Sequence, residues 1–342
     1  MAEENTGNEL IPETKQAAVE KALHEAFGVN EYEGIHLLTG GLSSALAFKI
    51  VVKNNPYLLK ILRTQVISDP AHEFACQQTA AEAGIAPRIW YANVEDRVLI
   101  TDFVEARPLP EDMIPLIVLT LRTLHSLPPF PLPKMGSYFD AIDGFVRRFQ
   151  AARLLPDSAT EEVFRRYADV QKIYPRNIDL VASHNDLKPQ NMLYDGNRIL
   201  LVDWEAAFLN DRYVDLAVVA NFFVKDEIQE EAYLKAYFGE PSGDYRRARF
   251  YLMRQAVSLF YVTLLLLEAS RAGLTIDTDM TTPDFREFHQ DLIADRIDMT
   301  NAGAKAQYGM THLREALRNM RTQRFQEALS TVANFHSSNS KS

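Results

Sequence analysis

Hydrophobic and polar positions change rhythm twice along this chain of 342 residues. The first 15 or so residues are polar, and Ala17, Ala18, Ala22 and Ala26 recur near helical spacing, predicting a helix from Pro12 to Ala26. From His36 the texture is that of short strands with turn signals. His36-Leu37-Leu38, a Gly40-Gly41 turn, Leu46–Val52, an Asn54-Asn55-Pro56 turn and Tyr57–Leu62 follow in order. Asp69-Pro70 then opens a helix through about Ala83: proline suits the first helical position, and Glu73 falls in the first turn, where the helix dipole favours a carboxylate. Gly84-Ile85-Ala86-Pro87 stops it, and Ile89–Ala92 and Val98–Phe103 read as two more strands.

After Glu105 the spacing becomes helical, over Ile114–Leu127, Phe139–Ala152, Thr160–Ile173, Glu227–Phe238, Tyr245–Ala272 and Thr311–Ala333. A strand-rich stretch at 179–203 is the exception. The longest apolar run, Ala256–Leu267, is broken by Ser258 and Thr263 and reads as a buried helix too short to span a bilayer. No segment repeats at a fixed period. The pattern predicts an α+β, two-lobed chain. It has an N-terminal helical extension (1–30), a small antiparallel-sheet lobe with one helix (31–104), a larger, mostly helical lobe (105–335) and a disordered polar tail (336–342).

Composition narrows the partners. Hydrophobic residues make up 47% and charged ones 24%, the balance of a folded globular chain rather than a disordered one. The formal charge of −10 repels phosphate backbones and argues against nucleic acid; it keeps the protein soluble and favours a cationic ligand. Cys76 is the only cysteine, so no disulfide framework exists and a reducing compartment is expected. MAEENTGNEL lacks the basic and apolar regions of a secretion signal, so the expectation is a cytoplasmic protein with no membrane insertion. Oligomeric state is not legible.

The chemistry concentrates in Val181-Ala182-Ser183-His184-Asn185-Asp186-Leu187-Lys188-Pro189-Gln190-Asn191-Met192-Leu193. It contains H-x-D-x-x-x-x-N, followed by an apolar strand, Arg198–Val202, that ends at Asp203. Phosphoryl transfer asks a protein chiefly to position groups and neutralise charge. One carboxylate must accept the acceptor's hydroxyl proton, and hard oxygen ligands must hold magnesium against the triphosphate of ATP. A tight loop bearing Asp186 as base and Asn191 as metal ligand, beside a strand end bearing Asp203, meets those needs. His184 reads as structural. Upstream, Thr39-Gly40-Gly41-Leu42-Ser43-Ser44 lies between two strands, where glycine permits close approach and Ser43 and Ser44 can meet phosphate. Lys60 is a lone cation in an apolar strand, and Glu73 is the candidate carboxylate to hold it toward the phosphates, with Glu82 as a fallback.

Together these residues resemble the aminoglycoside phosphotransferase and choline kinase superfamily, from about Ile35 to Phe222, most specifically over 183–216. There Ser-His-Asn-Asp-Leu-x-x-x-Asn precedes Val202-Asp203-Trp204-Glu205 and Asp211-Arg212-Tyr213-Val214-Asp215-Leu216-Ala217; Gly84-Ile85-Ala86-Pro87 and Leu121-x-x-Leu124-His125 also match. The resemblance implies a protein-kinase-like bilobal fold with Asp186 as base, Asn191 and Asp203 on magnesium, and Lys60 on the α- and β-phosphates, paired to Glu73. It implies a hinge at Thr101-Asp102-Phe103-Val104, with the Asp102 carbonyl and Val104 amide meeting adenine, and Asp215 bracing the catalytic loop. The chain departs from protein kinases in its Gly-Gly-Leu-Ser-Ser loop and in Trp-Glu after Asp203, and from most members of this superfamily in Lys188-Pro189. Lys188 can reach the γ-phosphate or the acceptor, or point to water.

Three acceptor readings follow. A choline or ethanolamine kinase is favoured by Glu205 two positions past Asp203 and by aromatics able to hold a quaternary ammonium: Trp204, Tyr213, Tyr251, Phe260 and Tyr261. An aminoglycoside, sugar or nucleoside kinase would use the acidic run Asp226, Glu227, Glu230 and Glu231 as an open cationic cleft. A protein kinase or an idle kinase-like binding module is disfavoured, because only seven residues separate Asp203 from Asp211 and the lysine, base and metal ligands are all present. The expected partner is therefore a small cationic molecule with a hydroxyl group.

Overall fold

The computed structural model describes residues 10–38, 45–62, 69–110, 112–132 and 136–339; Ser43 and Ser44, expected in the phosphate loop, lie outside them. Two compact units emerge. One takes the described residues up to 110 together with Asn191–Ala207; the other takes Asp112–Gln190 and the described residues from Phe208 onward.

In the first unit, alternation builds a five-stranded antiparallel sheet in the order β1-β2-β3-β5-β4: β1 (Gly34–Leu37), β2 (Leu46–Val52), β3 (Asn55–Ile61), β4 (Ile89–Asn93) and β5 (Val98–Asp102). Lys53 and Asn54 turn β2 into β3, both at positive φ (51° and 63°), the backbone a two-residue hairpin requires. Phe48, Ile50, Leu59, Ile61, Val98 and Ile100 share one face and bury against Val19, Ala22 and Leu23 of α1 (Glu13–Phe27). The predicted N-terminal extension is thus part of this unit's core. The opposite face carries Leu99 against Phe74 of α2 (Pro70–Glu82), which starts with Asp69 accepting a hydrogen bond from the Ala71 amide. This unit also holds the hairpin β7 (Met192–Tyr194) and β8 (Ile199–Leu201), then a short 3-10 turn, Trp204–Ala206.

In the second unit, β6 (Leu180–Ser183) pairs antiparallel with β9 (Phe208–Asp211). The helices are α3 (Ile114–His125), α4 (Tyr138–Ala152), α5 (Asp157–Ile173), α6 (Arg212–Phe223), α7 (Glu227–Phe238), α8 (Gly243–Arg271), α9 (Phe285–Ile293), α10 (Ala302–Met320) and α11 (Gln323–Asn339). At 29 residues α8 is long and apolar enough to cross a bilayer, but most of it is buried within this unit.

The structure differs from the sequence reading over several helices, α9 (Phe285–Ile293) among those the pattern does not predict. The pattern does not predict α6: every residue from Tyr213 to Phe222 is buried, so no polar stripe marks it as helical. The single helix expected at Thr311–Ala333 is two, divided at Arg321-Thr322, and the first begins at Ala302, where the Asn301 side chain caps it. Gly309 disguised that first half. It lowers helix propensity, yet a Cβ there would lie 2.8 Å from Leu266, so glycine lets α10 close on α8. The last helix runs to Asn339, into the expected tail.

Candidate active site

Lys60 owes its place to strand alternation. Its neighbours across the sheet are Ala47 on β2 and Leu99 on β5, so its side chain leaves the sheet on the α2 face. There Glu73, in the first turn of α2 and fully buried, accepts from Nζ at 2.9 Å, and Asp203 Oδ1 lies 3.4 Å away. Burial alone would lower the lysine pKa, but Glu73, Asp203 and, more weakly, Glu205 outweigh it and raise it, so the ammonium is firmly charged. Glu82, the fallback, is exposed at the far end of α2 and bonds Gln78.

The hairpin β7–β8 brings Asn191 beside Asp203: Met192 pairs with Leu201, and the Val202 amide donates to the Asn191 carbonyl at 3.1 Å. Asp203 itself is left-handed (φ 69°, ψ 68°), an unusual backbone for a non-glycine that turns the chain sharply out of β8. The Gly84-Ile85-Ala86-Pro87 turn acquires a purpose here. Its Ile85 carbonyl accepts the Leu201 amide at 2.7 Å and its Gly84 carbonyl accepts Arg198 at 3.1 Å, docking the hairpin onto the end of α2. At the expected hinge, β5 ends at Asp102, whose amide donates to the Arg88 carbonyl and whose carboxylate takes the Trp90 indole N–H at 2.7 Å; Val104 follows in irregular chain.

In the second unit, the loop after β6 is held by Asp215 of α6. Its fully buried carboxylate accepts the amides of His184 (3.0 Å) and Asn185 (2.7 Å) and meets His125 Nε2 at 3.1 Å. Asn185 is left-handed (φ 66°), with its side-chain oxygen taken by Asn210 at 2.6 Å. Asp186 follows, about one quarter exposed, and Lys188 reaches back to it at 2.6 Å. The structure therefore gives Lys188 to Asp186 rather than projecting it into water.

Three phenols lie within electrostatic reach of that carboxylate: Tyr138 of α4, Tyr261 of α8 and Tyr308 of α10. Each is pushed above the usual tyrosine range, first by burial and then by the charge of Asp186. Phe260 packs 5.5 Å from Tyr138, His312 stacks on Tyr261 at 4.9 Å, and Tyr308 lies over Phe288 at 4.7 Å. Sequence reasoning named Tyr261 and Phe260 but missed Tyr138 and Tyr308; the latter lies in the half of α10 that Gly309 concealed.

Other expected contacts are corrected. Trp204 is fully buried, its indole N–H donating to the Leu201 carbonyl at 3.1 Å, so it braces the 3-10 turn. Tyr213 is buried on the guanidinium of Arg249, 4.5 Å from its ring, and that arginine bridges Asp179 and Asp211. Tyr251 is turned to the Asn319 carbonyl. Glu205 is exposed, and its charge acts on Lys60. The acidic run forms no open cleft: Asp226 caps α7, buried Glu230 pairs with Arg254 and Arg324, and Glu231 takes Ser242 and Arg247. Between Asp203 and Asp211 the chain is only the 3-10 turn and β9, leaving no activation loop.

A lysine–glutamate pair between a strand and the helix on an antiparallel sheet, in a chain that also carries H-x-D-x-x-x-x-N and a mostly helical second unit, defines the kinase-like α+β class of small-molecule phosphotransferases. The chain belongs to the phosphotransferase enzyme family, whose model matches residues 34–251. The LicA homologue of Metamycoplasma hominis is 31% identical over 159 residues, 44% of this chain and 60% of that protein, so the match spans less than two thirds of the relative. Among solved structures, a choline/ethanolamine kinase family protein of Mesorhizobium loti superposes with a TM-score of 0.67 at 21% identity, covering 93% of this chain and 99% of that one. The choline kinase LicA of Streptococcus pneumoniae gives 0.57 at 15%, covering 82% and 97%. An aminoglycoside phosphotransferase bound to ADP and hygromycin B gives 0.59 at 14%, covering 90% and 100%. At these identities the likeness establishes the fold.

Proposed function

We propose that the protein transfers the γ-phosphoryl group of ATP to the hydroxyl of a small cationic amino alcohol of the choline or ethanolamine type. The observation that carries this reading is the aromatic layer of Tyr138, Phe260, Tyr261 and Tyr308, whose phenols lie within electrostatic reach of Asp186. Phenol faces and a carboxylate suit an ammonium group, and the same carboxylate is placed to take a hydroxyl proton. Sealing of the acidic run by arginines and a helix cap speaks against an aminoglycoside cleft. The solved choline and ethanolamine kinases of the same fold, and the LicA homologue, agree with it.

Asp203 and Asn191 offer one carboxylate and one amide, hard oxygen donors set side by side by the hairpin, and that donor set fits Mg2+. When bound, the ion supplies charge neutralisation on the triphosphate. Lys60, fixed by Glu73, contacts the α- and β-phosphates; Asp102 and Val104 meet adenine. Asp186 accepts the acceptor's proton as its oxygen attacks phosphorus, with the Lys188 ammonium moderating the charge on that carboxylate. The test is ADP release with choline, ethanolamine, aminoglycosides, methylthioribose and homoserine. A response to choline or ethanolamine is expected; a response to aminoglycosides alone rejects the reading.

A further inference from the structure

His72 and Glu73 are consecutive on the first turn of α2 and engage different partners. Glu73 is buried against Lys60, whereas His72, half-buried, makes a hydrogen bond through Nε2 to the carbonyl of Ala207. A carbonyl only accepts, so the imidazole carries a proton on Nε2. Ala207 closes the turn that follows Asp203, its own amide donating to the Trp204 carbonyl at 3.1 Å. The start of α2 is thereby fastened to the segment just after Asp203, as the end of α2 is fastened through Ile85 to Leu201, just before it.

Lys60 reports on this arrangement, since Glu73 comes from the helix and Asp203 from the hairpin, at 2.9 and 3.4 Å. Sliding α2 against the turn by about 1 Å would take one of the two out of hydrogen-bond range. We propose that His72 is a positioning residue for the nucleotide and metal site, holding α2 on the Asp203–Ala207 segment so that Glu73 and Asp203 converge on Lys60. The assignment rests on the reading of Lys60 as phosphate contact and Asp203 as metal ligand, and His72 itself touches neither ligand. All it needs for this role is an N–H at the reach of Nε2, which a glutamine amide supplies and an alanine does not.

The experiment is calorimetric titration with ADP, with and without Mg2+, on the parent, His72→Ala and His72→Gln, alongside thermal melts; no acceptor is needed. His72→Ala is expected to weaken Mg-ADP binding about tenfold and to raise the half-saturating Mg2+ by a similar factor, and His72→Gln to recover both to within about threefold. Should the alanine variant not fold, His72→Asn, whose amide is too short to reach Ala207, replaces it. A lower melting temperature with unchanged Mg-ADP binding makes His72 a packing residue and overturns the proposal, as does equal weakening in the alanine and glutamine variants. A parent indifferent to Mg2+ instead overturns the metal reading, and the proposal with it.

Discussion

The carboxylate of Asp215 accepts the backbone amide of Asn185 at 2.7 Å, from a helix 30 residues further along the chain. That bond, with its partner to the His184 amide at 3.0 Å, holds a loop whose next residue is Asp186. Asn185 is left-handed, so the loop has a conformation that its own sequence does not favour, and the buried charge offsets that cost. In Asp215→Asn one oxygen becomes an NH2 facing an N–H. The expected loss is about 2–3 kcal/mol of stability, read by chemical denaturation, with turnover falling further than nucleotide affinity. Unchanged stability would mean the two amides find other acceptors.

Asp186 stands in the unit that lacks Lys60 and Asp203. Removing it should leave nucleotide binding intact while removing the proposed proton acceptor. Asp186→Ala is expected to abolish ATP turnover, and Mg-ATP should bind within about threefold of the parent. Undiminished turnover would sink the mechanism.

Asp203→Ala is expected to act differently, because Asp203 shares its unit with Lys60 and Asn191. Nucleotide affinity in the presence of Mg2+ should fall at least tenfold, while affinity without the metal changes little. If Mg-ATP bound the variant as tightly as the parent, the metal assignment would be wrong.

The legible part of this protein is local. Lys60, Asp186, Asn191 and Asp203 stand at spacings that a strand, a loop and a hairpin impose, and Glu73 announces itself by its place in the first turn of α2. Residues set by packing between distant helices were not legible. Tyr138, Tyr261 and Tyr308 come from three helices, and nothing in their separate sequences says that they join one aromatic layer within electrostatic reach of one carboxylate. Trp204 and Tyr213 show the converse, since proximity in sequence to Asp203 suggested ligand contact while both are buried among protein groups. The hairpin 191–207 also lies, in sequence, inside the larger unit, yet packs with the smaller one through the Ile85 and His72 contacts.

His289 and His312 give the protein a predictable acid weakness. His289 donates through Nδ1 to the Phe285 carbonyl at 2.7 Å and meets the Tyr308 hydroxyl at 2.9 Å, and burial pushes its pKa down to about 3. His312, buried between Tyr261 and Tyr308 with no hydrogen bond to either ring nitrogen among the described residues, is pushed well below the usual histidine range, again chiefly by burial. A histidine with a depressed folded-state pKa takes up its proton more readily when unfolded. Its contribution to stability is therefore lost as pH falls below the ordinary value of about 6.5. Asp211, raised to about 6 by burial, works in the opposite sense as pH falls through 6, but it is common to parent and variant and cancels in their difference. In His312→Phe, which keeps a planar ring in the aromatic layer, the drop in unfolding free energy between pH 7 and pH 5 should be roughly 2 kcal/mol smaller than in the parent. Denaturant titrations at the two pH values decide it. Equal drops would mean that His312 is protonated in the folded protein and that a counter-charge reaches it within the aromatic layer.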